Sequence, residues 1–254
     1  MNRIMKKCTR AELMLMFILT VLFPVVLAAQ EMSMQPAADI SGEQLVAQII
    51  EAYGGRDNLA KVRSIYTRSY EKIHQADNDG WITANLQRPD RFRIESALHQ
   101  TNSTRVVSGS QVWMSSGKAL LEPADNATRE GVMFLFNCID LPFSLAEGKW
   151  TAKHQGIDKH NSSPNQVLIL KNSAGEELTL TVNPKTHLID LISGITTKGE
   201  RKIIIAQEYS DYREVNGIKL PFRITSYYDG KPYAQNTLGE VKINVEMPDK
   251  LYKP

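Results

Sequence analysis

Cysteine is scarce: the 254 residues hold two, Cys8 and Cys138, and Cys8 precedes the one long apolar run of the chain. A chain trimmed after that run keeps a single thiol, so no intramolecular disulfide can form and packing alone must hold the fold. With 15 Gly and 11 Pro, neither a collagen-like repeat nor a low-complexity chain is supported. Charge of one sign is not in excess either. Of 30 Lys+Arg and 28 Asp+Glu, residues 1–29 hold Arg3, Lys6, Lys7 and Arg10 against Glu12, leaving 26 basic and 27 acidic side chains elsewhere. That balance removes the electrostatic case for nucleic acid as a partner. The one tight basic group, Arg88, Arg91 and Arg93, is broken by Asp90 and reads as a solvated strand face.

Recognisable catalytic and metal motifs are missing as well. The five histidines lie in separate segments without HExxH spacing, and His154 and His160 bracket Asp158 in what reads as a polar loop. There is no G-x-S-x-G elbow, no Walker loop and no G-x-G-x-x-G; Gly54-Gly55 follows a helical segment, where it ends a helix rather than cradling a phosphate. Cys138 sits among Phe and Leu and reads as a core thiol, with a nucleophile as the alternative. No cofactor, no metal and no enzymatic activity are therefore expected.

Present instead is a cationic start followed by a nearly continuous apolar run, Leu13 to Ala29, that ends in small residues. Residues 1–29 are expected to be a signal peptide cleaved near Ala28 or Ala29, which places the protein in the periplasm; an inner-membrane anchor through residues 13–29 is the alternative. Residues 30–41 read as a linker. Ser41 then introduces Leu45, Ile49, Ile50 and Tyr53 at helical spacing, closed by Gly54-Gly55. From Ser64 the pattern changes to short strands separated by turn signals, as in Leu178, Leu180 and Val182 or Val241, Ile243 and Val245. The last strand is expected over 239–247. A helical interlude over about 128–147 carries Met133, Phe134, Phe136, Leu141, Phe143 and Leu145, with Pro142 expected to break it.

This order predicts a mainly β fold with some α: one strongly curved antiparallel sheet, an incomplete barrel of about eleven strands, filling 42–254 as a single domain. It has an N-terminal helix and a mid-chain helical lid. Such a sheet has more inward positions than short helices cover, and the lid segment suits the mouth of an apolar cavity; a dry core is the alternative.

The run from Trp81 through Arg88-Pro89-Asp90-Arg91-Phe92-Arg93-Ile94, followed by Val106-Val107-Ser108-Gly109-Ser110-Gln111-Val112-Trp113, resembles the periplasmic LolA/LolB lipoprotein-carrier superfamily. The "AYGG" stretch starting at Ala52 and the run from Asp211 to Phe222 fit the same group. The resemblance implies a half-barrel whose cavity receives acyl chains or another lipophilic group, with Arg88 holding the lid. Ile94 stands where the carrier has Trp. The expectation is a monomeric, exported, non-enzymatic binder of a lipid or of lipoprotein acyl chains, through Arg88, Phe92, Ile94, Trp113, Phe134, Phe136, Leu141 and Phe143. The alternative is a module that recognises another envelope protein or senses stress and transports no ligand.

Overall fold

The structure is a computed structural model, described over residues 40–253 apart from 75, 118, 119, 161 and 162. The expected leader and nearly all of the expected linker lie outside the described residues. Among the described residues no helix is long and apolar enough to cross a membrane.

Ser41 starts the first helix through a capping box: its hydroxyl accepts from the Gln44 N–H at 3.1 Å, and its own N–H donates to Gln44 Oε1 at 2.9 Å. Helix α1 (Gly42–Ala52) turns Leu45, Ile49 and Ile50 inward and is followed by the short α2 (Arg56–Ala60). Between them Gly54 has φ +121°, and a Cβ there would lie 2.2 Å from the Gly217 carbonyl oxygen, so only glycine fits the approach of this turn to the sheet. Six strands come next: β1 (Ser64–Ile73), β2 (Asp79–Gln87), β3 (Arg91–Leu98), β4 (Asn102–Ser108), β5 (Gln111–Ser116) and β6 (Glu122–Pro123). Helix α3 (Asn126–Ala146) leads into β7 (Trp150–His160), β8 (Ser163–Asn172), β9 (Glu177–Val182), β10 (Ile189–Lys198), β11 (Arg201–Val215), β12 (Ile218–Tyr228) and β13 (Lys231–Ile243).

Among the described residues the thirteen strands form one antiparallel sheet in the order β6-β5-β4-β3-β2-β1-β13-β12-β11-β10-β9-β8-β7. It consists of two meanders joined where β1 pairs with β13, with Ile65 opposite Ile243 and Tyr70 opposite Thr237. β6 and β7 are the two edges, and α3 is the connection between them, so it has to cross one face of the sheet. The edges do not pair. The sheet is therefore open and not strongly curled, which corrects the expected incomplete barrel of about eleven strands.

Three local differences have physical reasons. β6 is a Glu-Pro pair with no alternation to read, and its proline is tolerated because the strand is an edge. The last strand begins at Lys231 rather than 239, because Asp229 and Gly230, both at positive φ (+47° and +73°), make a tight hairpin that pairs Tyr228 with Lys231. Pro142 does not interrupt α3. The turn around it is held by burial and by Ser144, whose hydroxyl donates to the Asp140 carbonyl (3.1 Å) and accepts from Trp150 Nε1 (3.0 Å). The main core lies between α1, α3 and the sheet, with Leu45, Ile49, Phe92, Leu141, Phe143, Leu168 and Leu180 fully buried.

Candidate functional site

Because side chains alternate along a strand, one face of the sheet looks at α3. Between that face and the helix lies a cavity of about 290 Å³. A wider space of about 730 Å³ continues from it past the N-terminal half of α3, and both are lined by Arg105, Leu135, Gln207, Ser226, Tyr228 and Tyr233. The wider space alone falls within the size of small-molecule sites, about 300–1,000 Å³, and the smaller cavity is at the lower edge of it. The helix contributes Leu135, Cys138, Ile139 and Pro142, an i, i+3, i+4, i+7 stripe along one side.

The lining changes character along the strands. On β1 the facing residues run Ile65, Thr67, Ser69, Glu71; on β12, Leu220, Ile224, Ser226, Tyr228. On these two strands the end that adjoins the core is the more apolar, and the end that adjoins the wider space carries the charged and polar groups Glu71, Arg105, Asn236 and Ser226 beside Leu98. At the apolar end Tyr212 donates to the Ile189 carbonyl (2.7 Å) and its oxygen lies 2.8 Å from the Tyr53 hydroxyl. Burial pushes both phenols up, so they stay neutral. Burial likewise raises the Cys138 thiol to about 12, only partly offset by a hydrogen bond with Tyr209, and a thiol so placed is not a thiolate at neutral pH.

Beyond the apolar end α3 is clamped to the sheet. Arg88 follows β2, and its guanidinium lies 2.6 Å from Asp140 Oδ1 and 2.8 Å from Glu147 Oε1, over the Phe143 ring. Both Arg88 and Asp140 side chains are 6% exposed. Burial pushes the Asp140 carboxyl up, and Arg88 offsets this in part. Burial also acts upward on Glu147, but Lys149 and Arg88 outweigh it and hold that carboxyl below its ordinary value. Arg88 thus meets the helix through carboxylates rather than through main-chain carbonyls.

The expected site residues separate into three places. Ile94 lines the smaller cavity and Phe134 the wider space, where the Phe134 ring lies so close over Gly194 that a Cβ there would come within 3.0 Å of it. Phe92, Phe136, Leu141 and Phe143 are buried in the core, with Phe92 and Phe136 ring centroids 6.1 Å apart. Trp113 is on the opposite face, in a small cluster with Val106, Met247 and Tyr252. There Arg91 and Arg93 pair with Asp249 and the Leu251 carbonyl, so these arginines hold the C-terminal segment instead of forming a solvated stripe. Glu71, Arg105, Leu135, Ile139, Tyr228 and Tyr233 line the cavity without having been singled out from the sequence. The helical stripe of Leu135 to Pro142 was a readable signal. Among the described residues no group of three or more His, Cys, Asp or Glu gathers as a metal site, and His154 pairs with Gln166 across β7 and β8.

No family model and no curated protein matches this sequence. Solved structures do match its fold. A DUF1329 family protein from Desulfovibrio piger has a TM-score of 0.55 at 10% identity, covering 84% of this chain and 98% of that one. A putative outer membrane lipoprotein-sorting protein domain from Vibrio parahaemolyticus has a TM-score of 0.53 at 9% identity, covering 83% and 95%. A LolA superfamily protein from Nitrosomonas europaea has a TM-score of 0.53 at 9% identity, covering 85% and 98%. Over most of its length the chain therefore shares the LolA-like fold; at these identities the likeness is one of fold.

Proposed function

We propose that this protein is an exported, non-enzymatic carrier or binder that takes a lipophilic ligand, an acyl chain or lipid, into the space between α3 and the sheet. The observation that carries this reading is the polarity gradient of the lining, more apolar at the core end and more polar at the other. An amphiphile fits such a gradient with its chain inward and its head toward water. The shared fold with lipoprotein-sorting-like proteins supports the same class. In this reading Ile94 and Phe134 touch the ligand, while Arg88, Phe92, Phe136, Leu141 and Phe143 keep α3 seated. Trp113 takes no part in binding.

The test is native mass spectrometry of the protein purified from the cell envelope, with solvent extraction of whatever is bound, followed by titration with a fluorescent fatty-acid analogue. A released acyl-chain species, or saturable uptake of the analogue, is expected. A protein that carries nothing and takes up no analogue would sink the carrier reading in favour of recognition of another envelope protein.

A further inference from the structure

We propose that Arg105, set where the two spaces under α3 meet, is an anion subsite, and that the ligand is an acyl chain bearing a carboxylate or phosphate head. The inference rests on the cavity reading above and adds the chemistry of the head.

Arg105 of β4 pairs with Ile94 on one side and Met114 on the other, and all three face the space under the helix. Several other arginines have evident work: Arg88 clamps Asp140, Arg91 holds Asp249, Arg93 takes the Leu251 carbonyl and Arg129 the Ser110 carbonyl. Among the described residues Arg105 makes no hydrogen bond and no ion pair. A half-buried guanidinium among Ile94, Leu135, Tyr228 and Tyr233 has lost part of its water, and an anion with matching acceptors would offset that loss more fully than the nearby Glu71, which makes no ion pair with it. Its flat fork of donors suits carboxylate and phosphate alike.

The neighbours fit the same task. Tyr228 and Tyr233 stack edge to face, with centroids 4.8 Å apart, at the polar end of the cavity. Both are partly exposed, and among the described residues neither hydroxyl has a hydrogen-bond partner, so both remain free to donate. Glu71 is the acidic group nearest in function, but its carboxylate is already engaged by Asn236 Nδ2 at 2.7 Å. Burial raises Glu71 above its ordinary value, and Asn236 and the charge of Arg105 offset part of that rise, so Glu71 is a neighbouring charge of Arg105 without an ion pair to it. An uncharged glyceride or alcohol head would leave the guanidinium unpaired. An anionic head would complete it while the chain follows the Ile94, Ile139 and Ile224 wall inward.

The experiment uses three probes of equal chain length below their micelle concentrations: a long-chain fatty carboxylate, the corresponding alcohol, and a lysophosphatidate. Dissociation constants are measured by calorimetry on the wild type, Arg105→Gln and Arg105→Lys. The wild type is expected to bind at least one anionic probe about tenfold more tightly than the alcohol, the effect of one charge-assisted contact. Arg105→Gln should lose that preference while keeping the alcohol affinity, and Arg105→Lys should keep part of it. The tighter of the two anionic probes identifies carboxylate or phosphate as the source. Equal binding of alcohol and anions, or an unchanged preference in Arg105→Gln, overturns this inference and leaves the cavity reading standing; binding of none of the three overturns both. If Arg105→Gln fails to fold, the wild-type comparison of alcohol with anions decides alone.

Discussion

The two halves of α3 are built differently. From Phe136 to Ala146 every residue except Ile139 is buried, whereas from Asn126 to Leu135 only Val132 and Phe134 are. The C-terminal half is fixed by Phe143, by the Ser144–Trp150 hydrogen bond and by the buried Arg88–Asp140 pair. The N-terminal half is tied by polar contacts near the surface: Arg129 Nη1 to the Ser110 carbonyl (2.7 Å) and Glu130 Oε2 to the Thr197 N–H (2.7 Å). Buried apolar area and paired buried charge resist local opening far more than exposed hydrogen bonds do. One helix therefore combines a fixed end over the apolar part of the cavity with a loosely held end over its polar part. Under the carrier reading proposed above, that division would let a ligand stay in and still exchange.

The strongest test of the contrast is at the fixed end. Arg88→Ala leaves the Asp140 carboxylate buried without its cation, and removing one partner of a buried pair costs about 3–5 kcal/mol. The double variant Arg88→Met, Asp140→Leu removes both charges and is expected to regain much of that loss. Urea unfolding measures both. A loss under about 1 kcal/mol for Arg88→Ala would mean the pair does not anchor the helix.

Two leucines of α3 separate packing from lining. Leu141 is fully buried, and Leu141→Ala is expected to cost about 3 kcal/mol. Leu135 borders existing space, so Leu135→Ala creates less new void; about 1 kcal/mol is expected, with a larger change in affinity for an acyl probe. Equal destabilisation by the two would erase the distinction between the halves.

Acid titration probes the same end through two carboxyls of opposite sign. Burial raises Asp140 with only partial relief from Arg88, so the folded protein takes up that proton first and Asp140 adds stability as pH falls toward about 4. Glu147, held low by Lys149 and Arg88 against the pull of burial, contributes stability above about pH 4 and loses it as pH falls through its folded value. Asp140→Asn should therefore steepen the stability loss between about pH 5 and pH 3, and Glu147→Gln should flatten it. Stability curves at fixed ionic strength read both slopes; changes of the same sign would contradict this account.

The sequence carried the local signals well and the long-range ones poorly. The Ser41 cap, the Gly54-Gly55 stop and the alternation of Leu178, Leu180 and Val182 were legible because each depends on neighbours in the chain. Asp229-Gly230 is an equally local turn signal, and it starts β13 at Lys231, eight residues before the expected 239. The candidate site suffered most. The largest aromatics of the helical segment were natural guesses for a lid, but large apolar groups gain most from full burial, so Phe136 and Phe143 went to the core. Smaller residues on the i, i+3, i+4, i+7 side were left to face the cavity. Arg105 lies within β4, but whether it shares a face with Ile94 or with Arg93 depends on the β3–β4 register, which the sequence does not state.

The smallest expected stability effect lies at the loose end and bears most directly on exchange. Glu130→Ala removes the acceptor of the Thr197 N–H and of the longer contact from the Thr196 hydroxyl (3.4 Å) on β10, and exposed bonds of this kind are together worth about 1 kcal/mol. Global stability should therefore fall by only about 1 kcal/mol. If the first turns of α3 open to pass ligand, the same variant lowers the cost of that opening, and release of a pre-bound fluorescent acyl probe should quicken about fivefold, as 1 kcal/mol implies. Hydrogen exchange should rise over 126–135 and stay unchanged over 136–146. Faster exchange spread evenly along the helix would show that its two halves open together and that the contrast between them does not govern access to the cavity.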